Sequence, residues 1–331
     1  MLPGPYERWY TEMAGRPSPV EARSTCDSCV MEPGSPGLPP EGAFDPALRC
    51  CTYHPHLAPH LVGGILAGGS AAGQAVVRAR IAAREGVTPL GLGPTPAWEA
   101  TYQRVTAVPG TFGHSHEILC PFLAASRCTI WEHRGAPCAA FHCKFDRGAY
   151  GSGLWQLIVI AFNAIERALA RWLLGRQGLE VKLCDDLLHA QGDRALEQRA
   201  WGSWYGREEA YFVAAAELIT PMAWADVVAI GGRELSELGP ALRGAVTRFA
   251  AMTAPARVQR GGEVLYRIGR AGHTVLQHSA VPFDVLEVPT PVAERLQKLQ
   301  PGPLADLVSE LGLDDDLVRR LLDWQVLMPA P

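Results

Sequence analysis

Residues 153–176 read GLWQLIVIAFNAIERALARWLLGR, with apolar side chains at Leu154, Leu157, Ile158, Ala161, Phe162, Ile165, Leu169, Trp172 and Leu173. That recurrence follows the helical period, so the stretch predicts a long helix with one face in a core. Its most apolar part, residues 154–165, is shorter than a bilayer needs and runs straight into Glu166 and Arg167. A buried helix is expected there, and no membrane span. Downstream, helices are expected at 194–205, 207–218, 222–230 and 241–252, punctuated by Gly206, Pro221 and Gly231. Upstream, residues 71–84 keep helical spacing through Ala72, Ala75, Val76, Ala79 and Ala83 until Gly86 and Pro89 end it, and a shorter helix is expected near 97–104.

The flanks differ in texture from this helical body. Residues 1–46 are rich in Pro and Gly, including PGSPGLPPEG, and are expected to be loop that a bound metal could hold in place. After Pro255, RVQRGGEVLYRIGRAGHTVLQHS alternates apolar and polar residues across Gly turns, which predicts short antiparallel strands. Three short helices and a closing apolar segment are expected beyond it. Lys and Arg total 30 against 34 Asp and Glu, with no basic run, so neither nucleic acid nor an anionic membrane is an expected partner. The opening MLPGPYERWYTEMAG has no basic or apolar region of a secretory signal, and a cytoplasmic location is expected.

The sharpest chemical signal is sulfur. Eight of the nine cysteines form two blocks, Cys26, Cys29, Cys50 and Cys51, then Cys120, Cys128, Cys138 and Cys143. Thiols gathered at this density in a reducing cytoplasm point to metal or iron–sulfur ligation before disulfides or unconnected core thiols. The spacing does not choose the metal. Only Cys26 and Cys29 have the C-x-x-C spacing of zinc knuckles, the adjacent Cys50 and Cys51 are awkward for one tetrahedral ion, and ferredoxin spacings are absent. His54, His56 and His60 follow the first block, and His114, His116, His133 and His142 flank the second. Of these, His54 and His142 are the foremost candidates for ligation. Arg134 and Lys144 could donate to cluster sulfurs, although ion pairs with Glu132 or Asp146 explain them as well. Cys184 lies outside both blocks and is expected to be a buried thiol. The helical spacing of Trp155, Trp172, Trp201, Trp204 and Tyr205 favours packing over substrate stacking.

The C-x-x-C pair, the vicinal Cys50 and Cys51, the CPFL at Cys120 and the run CTIWEHRGAPCAAFHC from Cys128 to Cys143 together resemble the YkgJ-type CxxCxxCC cysteine-cluster family. That family is described as zinc- or iron-chelating, and most of its members have no assigned reaction. The resemblance covers about residues 24–150; Gly135 stands where the family usually has Pro, Ala139 where it usually has Arg, and an insert splits the first block. A lysine N-methylase acting on flagellin carries a similar cluster, and that likeness implies a 4Fe-4S centre. The C-terminal segment resembles a PqqD-like or winged-helix module, which implies peptide recognition by strand addition.

The expected protein is thus mainly α, with a loop-rich metal-binding N-terminal region and a small C-terminal α+β domain of winged-helix or PqqD-like type. The expected division is a cysteine-cluster domain at 1–150, an α-helical body at 151–255 and the α+β domain at 256–331. Its expected function is to bind an iron–sulfur cluster, or Zn or Fe ions, through Cys26, Cys29, Cys50, Cys51, Cys120, Cys128, Cys138 and Cys143. The alternative is an enzyme modifying a protein or peptide substrate, such as a lysine N-methylase-like activity, with the cluster as cofactor. A structural centre is closed, whereas an enzyme needs an open coordination position with a pocket beside it.

Overall fold

The computed structural model describes every residue except 1, 25, 27, 28, 36–41, 191, 252 and 331, so most of the PGSPGLPPEG insert expected as loop lies outside the described residues. The protein is mainly helical with small antiparallel sheets. The chain forms two units. The first gathers Met1–Pro19, Ser28–Phe141 and Ile158–Leu242, and the second Val20–Asp27, His142–Leu157 and Arg243–Pro331.

The first unit opens with a helix where loop was expected, α1 (Gly4–Ala14). Tyr6, Trp9, Tyr10 and Met13 fall at helical spacing and are fully buried, so periodicity outweighs the Pro- and Gly-rich composition. Pro5 sits in its first turn, and Gly15, at φ 74°, ends it with an N–H donated to the Thr11 carbonyl at 2.8 Å. The Trp9 indole N–H donates to the Met222 carbonyl at 2.8 Å.

Next come α2 (Pro59–Gly68) and α3 (Ala71–Ala83), the latter capped by Ser70 accepting the Gly73 N–H at 3.1 Å. Strands β1 (Val87–Thr88) and β2 (Gly91–Leu92) pair antiparallel, followed by α4 (Pro96–Thr106) with Thr95 as its cap. A hairpin of β3 (Leu123–Ala124) and β4 (Arg127–Cys128) and the single turn α5 (Ala136–Ala139) carry the second cysteine block.

The long helix is α6 (Gly148–Arg176), which contributes residues to both units. Ile158, Phe162, Ile165, Leu169 and Leu173 on its apolar stripe are fully buried. After α7 (Val181–His189) and α8 (Arg194–Trp201), α9 (Glu208–Ile219) packs on α2. The contact is backbone to backbone: a Cβ at Gly63 would lie 1.8 Å from the Phe212 carbonyl oxygen. Two helices also occur where separate ones were expected near 222–230 and 241–252: α10 (Trp224–Ala250) is two helical segments that meet at a kink at Gly232, whose φ of 59° a glycine adopts without strain. No single helix among the described residues is long and apolar enough to cross a membrane.

In the second unit the expected strands appear as β5 (Arg257–Arg260), β6 (Val264–Ile268), β7 (His273–His278) and β8 (Leu286–Pro289). The last three form an antiparallel meander, with Leu265 opposite Gln277 and Leu276 opposite Leu286. Then follow α11 (Thr290–Gln297), β9 (Gly302–Pro303), α12 (Leu304–Leu311) and α13 (Asp315–Asp323). The closing apolar segment is β10 (Leu327–Pro329), which pairs with β5 beside β9. Asp314 caps α13 by accepting the Leu317 N–H at 2.7 Å, the place for an acidic run at a helix start. Arg147 pairs with Asp323 and Arg23 with Asp284 inside this unit.

Because the α2–α9 contact has no room for a methyl group, Gly63→Ala is expected to cost at least about 2 kcal/mol through overpacking. Chemical denaturation of the purified variant checks this; unchanged stability would contradict the close approach.

Candidate metal centre

Six of the eight clustered cysteines, Cys29, Cys50, Cys51, Cys120, Cys128 and Cys138, belong to the first unit, and Cys26 and Cys143 to the second. No disulfide joins any of the nine. The first block is held by a tight turn in which the Leu48 and Arg49 N–H groups donate to the Asp45 carbonyl and the Cys51 N–H donates to that of Leu48 at 3.0 Å. Leu48 is fully buried beneath it. The Cys120 N–H then donates to the Cys51 carbonyl at 2.8 Å, so the two cysteine blocks are fastened backbone to backbone.

Cys120 and Cys128 are brought together by the β3–β4 hairpin. Ala125 and Ser126 turn it with φ of 48° and 57°, the positive values that a two-residue hairpin turn requires. Thr129 ties the far end through its N–H and hydroxyl, both donated to the Phe122 carbonyl at 2.9 Å. Cys138 stands on α5, which Pro137 starts. Gly135, before it, lets the chain pass His56: a Cβ there would lie 2.5 Å from the His56 carbonyl oxygen.

The thiols of Cys50, Cys120, Cys128 and Cys138 act on one another electrostatically. Burial pushes Cys120 and Cys138 up to about 12, and for each the neighbouring thiols add to the rise. Burial also raises Cys128, with Cys50 adding to it, and raises Cys29, again with Cys50 contributing. Cys50 is raised first by its hydrogen bond with Cys51 and then by burial. The buried guanidinium of Arg134 pulls Cys50, Cys128 and Cys138 the other way. It is fixed by donating to the Trp131 carbonyl at 3.0 Å and the Cys138 carbonyl at 3.1 Å, and it lies 3.5 Å from the centre of the Trp131 ring. A surface role for Arg134 is thereby replaced by one among the sulfurs.

These thiols are therefore protonated at neutral pH in the metal-free chain. Among the described residues, no three Cys, His, Asp or Glu side chains already converge as a metal site. An all-sulfur set of desolvated thiols suits a soft or borderline cation or an iron–sulfur cluster, because the entering positive charge replaces the protons.

The remaining candidates divide clearly. His54 has both ring nitrogens engaged, Nδ1 with the Pro55 carbonyl at 2.9 Å and Nε2 with Arg80 at 2.6 Å; burial, then Arg80, lowers it to about 4. Both ring nitrogens are thus occupied by protein partners. His116 pairs with Asp45 at 3.0 Å, and His56 stands 3.8 Å from Glu99. His114 lies edge-on to Phe44. In the second unit His142 packs 4.3 Å from the Trp155 ring, Lys144 is buried, and the Cys143 sulfur meets the Ser24 hydroxyl at 3.5 Å. Cys26 is exposed. Cys184 is a fully buried thiol that donates to the Ala200 carbonyl, as expected. Trp155 and Trp201 are buried in packing contacts.

The sequence reading missed Glu166. Its carboxyl is buried on the apolar stripe of α6, accepts from the Tyr6 hydroxyl and from the Ala136 N–H at 2.8 Å, and burial lifts it to about 7. A signal was present, since Glu166 follows Phe162 by four positions and Ile158 by eight, on the face that should be apolar. Two cavities adjoin these groups and share His56. One, of about 270 Å³, is lined by Glu166, and the other, of about 290 Å³, by Tyr53. Glu166 acts on the Cys138 thiol, and Cys138 on Tyr53. No family model matches the chain, and no curated protein or solved structure matches it.

His60 gives a test of this electrostatic picture. It is buried with neither ring nitrogen hydrogen-bonded, and burial lowers it from 6.5 to about 3. The unfolded chain takes up a proton below pH 6.5 that the fold refuses, so His60 removes stability as pH falls from 6.5 towards 3. His60→Leu should be neutral or stabilising at pH 7. Its advantage over the parent should widen by about 1.4 kcal/mol per pH unit as pH falls from 6.5 towards 3, read from denaturation curves between pH 7 and 4. A pH-independent difference would refute the assignment.

Proposed function

We propose that this protein binds a metal or iron–sulfur centre on the thiols of Cys50, Cys120, Cys128 and Cys138, with Cys29 and Cys51 at its edge. The observation that carries the reading is a set of desolvated thiols, drawn from both cysteine blocks, whose charges act on one another around the Arg134 guanidinium. Four thiolates in such a place need positive charge beyond one guanidinium, which a cation or cluster supplies. A 4Fe-4S cluster is favoured over Zn by the vicinal cysteines and by the family resemblance. Arg134 would then remain as a hydrogen-bond donor beside the sulfurs, the kind of neighbour that tunes such a centre. Cytoplasmic residence follows from the same need for reduced thiols.

A second reading, an enzyme that modifies a protein or peptide with this centre as cofactor, is supported by the cavities whose lining residues Glu166 and Tyr53 couple to Cys138. The winged-helix or PqqD-like reading of the second unit belongs with it. β6 lies at a sheet edge and exposes Leu265 and Ile268, as a strand-adding peptide would require.

Anaerobic purification followed by metal and acid-labile sulfide analysis tests the first reading. Iron with sulfide, or stoichiometric zinc, is expected, with loss of most of it in Cys50→Ser, Cys120→Ser, Cys128→Ser and Cys138→Ser but not in Cys184→Ser. No metal after anaerobic reconstitution would overturn it. A change in the spectrum of the loaded protein on adding cyanide would show an open coordination position and favour the enzyme; an inert spectrum favours a closed structural centre.

A further inference from the structure

A separate cavity of about 290 Å³ lies in the first unit between the segment after Cys51 and helix α4, and its walls are mostly aromatic. Trp98 and Tyr102, four residues apart on one face of α4, stack with ring centres 5.1 Å apart and planes 16° apart. Tyr53 stands across from them, 6.0 Å from Tyr102 and turned 71° to it. The buried His54 ring meets Trp98 at 5.5 Å and 68°. Two aromatic surfaces thus meet at a steep angle and form a corner rather than a flat stack.

The Glu99 carboxylate lies on the same helix, between Trp98 and Tyr102 in sequence, and lines the cavity; no lysine or arginine does, and the one neighbour among the lining residues that could carry positive charge beside it is His56, 3.8 Å away. Arg80, the guanidinium bound to His54, is held by the Glu85 and Gly93 carbonyls at 2.7 Å each and is not a lining residue. Aromatic faces are the negative ends of ring quadrupoles, so the faces and the carboxylate attract the same guest. A helical aromatic pair more often packs in a core. Here Trp98 and Tyr102 are half-buried, in contact with His54 and Tyr53, and Glu99 is exposed, so the pair keeps part of its surface open to the cavity.

We infer that the corner formed by Tyr53, Trp98 and Tyr102, closed by Glu99, is a binding site for an alkylated ammonium group such as a trimethylammonium head. A bare ammonium is strongly hydrated and needs several acceptors; the corner offers one charged acceptor, Glu99, with only the neutral Gln103 amide and tyrosine hydroxyls besides. An N-methylated cation holds its water weakly, presents carbon to the rings and keeps its charge for Glu99. Nothing in the site requires a metal, although Cys138 acts electrostatically on its Tyr53 wall.

Calorimetric titration of the purified full-length protein with choline, with tetramethylammonium and with the uncharged carbon isostere of choline tests the site. Saturable binding of both cations and none of the isostere is expected. Trp98→Ala should weaken choline by about tenfold and Glu99→Gln by about threefold, while Tyr102→Phe, which keeps the ring, stays close to the parent. Glu99 is exposed, so Glu99→Gln reports on the site even if Trp98→Ala fails to fold. Absence of cation binding, equal binding of the isostere, or full affinity in Glu99→Gln would each overturn the inference.

Discussion

A single carboxyl on the buried face of α6 constrains much of the first unit. Leaving Glu166 there without partners would cost several kcal/mol, so the surrounding chain supplies donors. Tyr6 of α1 gives its hydroxyl, and its ring stacks on Phe162, one turn earlier on α6, with centres 4.5 Å apart. Ala136 gives its N–H from the first position of α5. One oxygen therefore docks both the N-terminal helix and the turn that carries Cys138. The same burial raises the carboxyl to about 7, and its charge, when present, discourages ionisation of Cys138. Core packing and the electrostatics of the thiols share this residue.

Much of this was legible in the chain, unevenly and for physical reasons. The helices of the body announced themselves through uninterrupted 3.6-residue spacing, and the meander of the second unit through alternation and Gly turns. Helix α1 was hidden because its three core aromatics and one methionine sit among Pro and Gly, whose composition masks the period. Helix α2 was hidden differently. Its paired glycines, Gly63 and Gly64, look like loop until a second helix lies against them, and that partner, α9, is far away in sequence. The membership of Val20–Asp27 and His142–Leu157 in the unit of Arg243–Pro331 likewise has no local signal. Spacing alone grouped eight of the cysteines into two blocks. What spacing did not give was the division of the eight between units, the role of Arg134 among the sulfurs, or the burial of Glu166.

The loop carrying the first cysteine block was expected to rely on metal for its order. Its described parts have other anchors: Met31, Phe44 and Leu48 are buried, the Phe44 N–H donates to Met31, and the Asp45 N–H donates to Gly113. Arg49 adds an ion pair to Glu32 at 2.7 Å. Apolar burial and backbone hydrogen bonds thus build the scaffold, and the hairpin turn and α5 place the second block by the same means. This differs from small zinc modules, which have no core to fold around without the ion. Under the proposed centre, a metal would add its ligand bonds to these anchors.

Protons and metal are, on that view, alternative answers to one problem. Thiolates cannot be left uncompensated in a desolvated site, and a single guanidinium offsets only part of four negative charges. With protons bound, Cys120 and Cys138 are held near 12 and the Cys50 and Cys51 thiols satisfy each other by hydrogen bonding. An entering cation would have to expel those protons, so its apparent affinity is tied to pH more steeply than for thiols of ordinary acidity. Arg134 lowers that barrier at three of the four sulfurs, which is why a buried arginine at this position is better understood through the thiols than through its hydrogen bonds to two carbonyls.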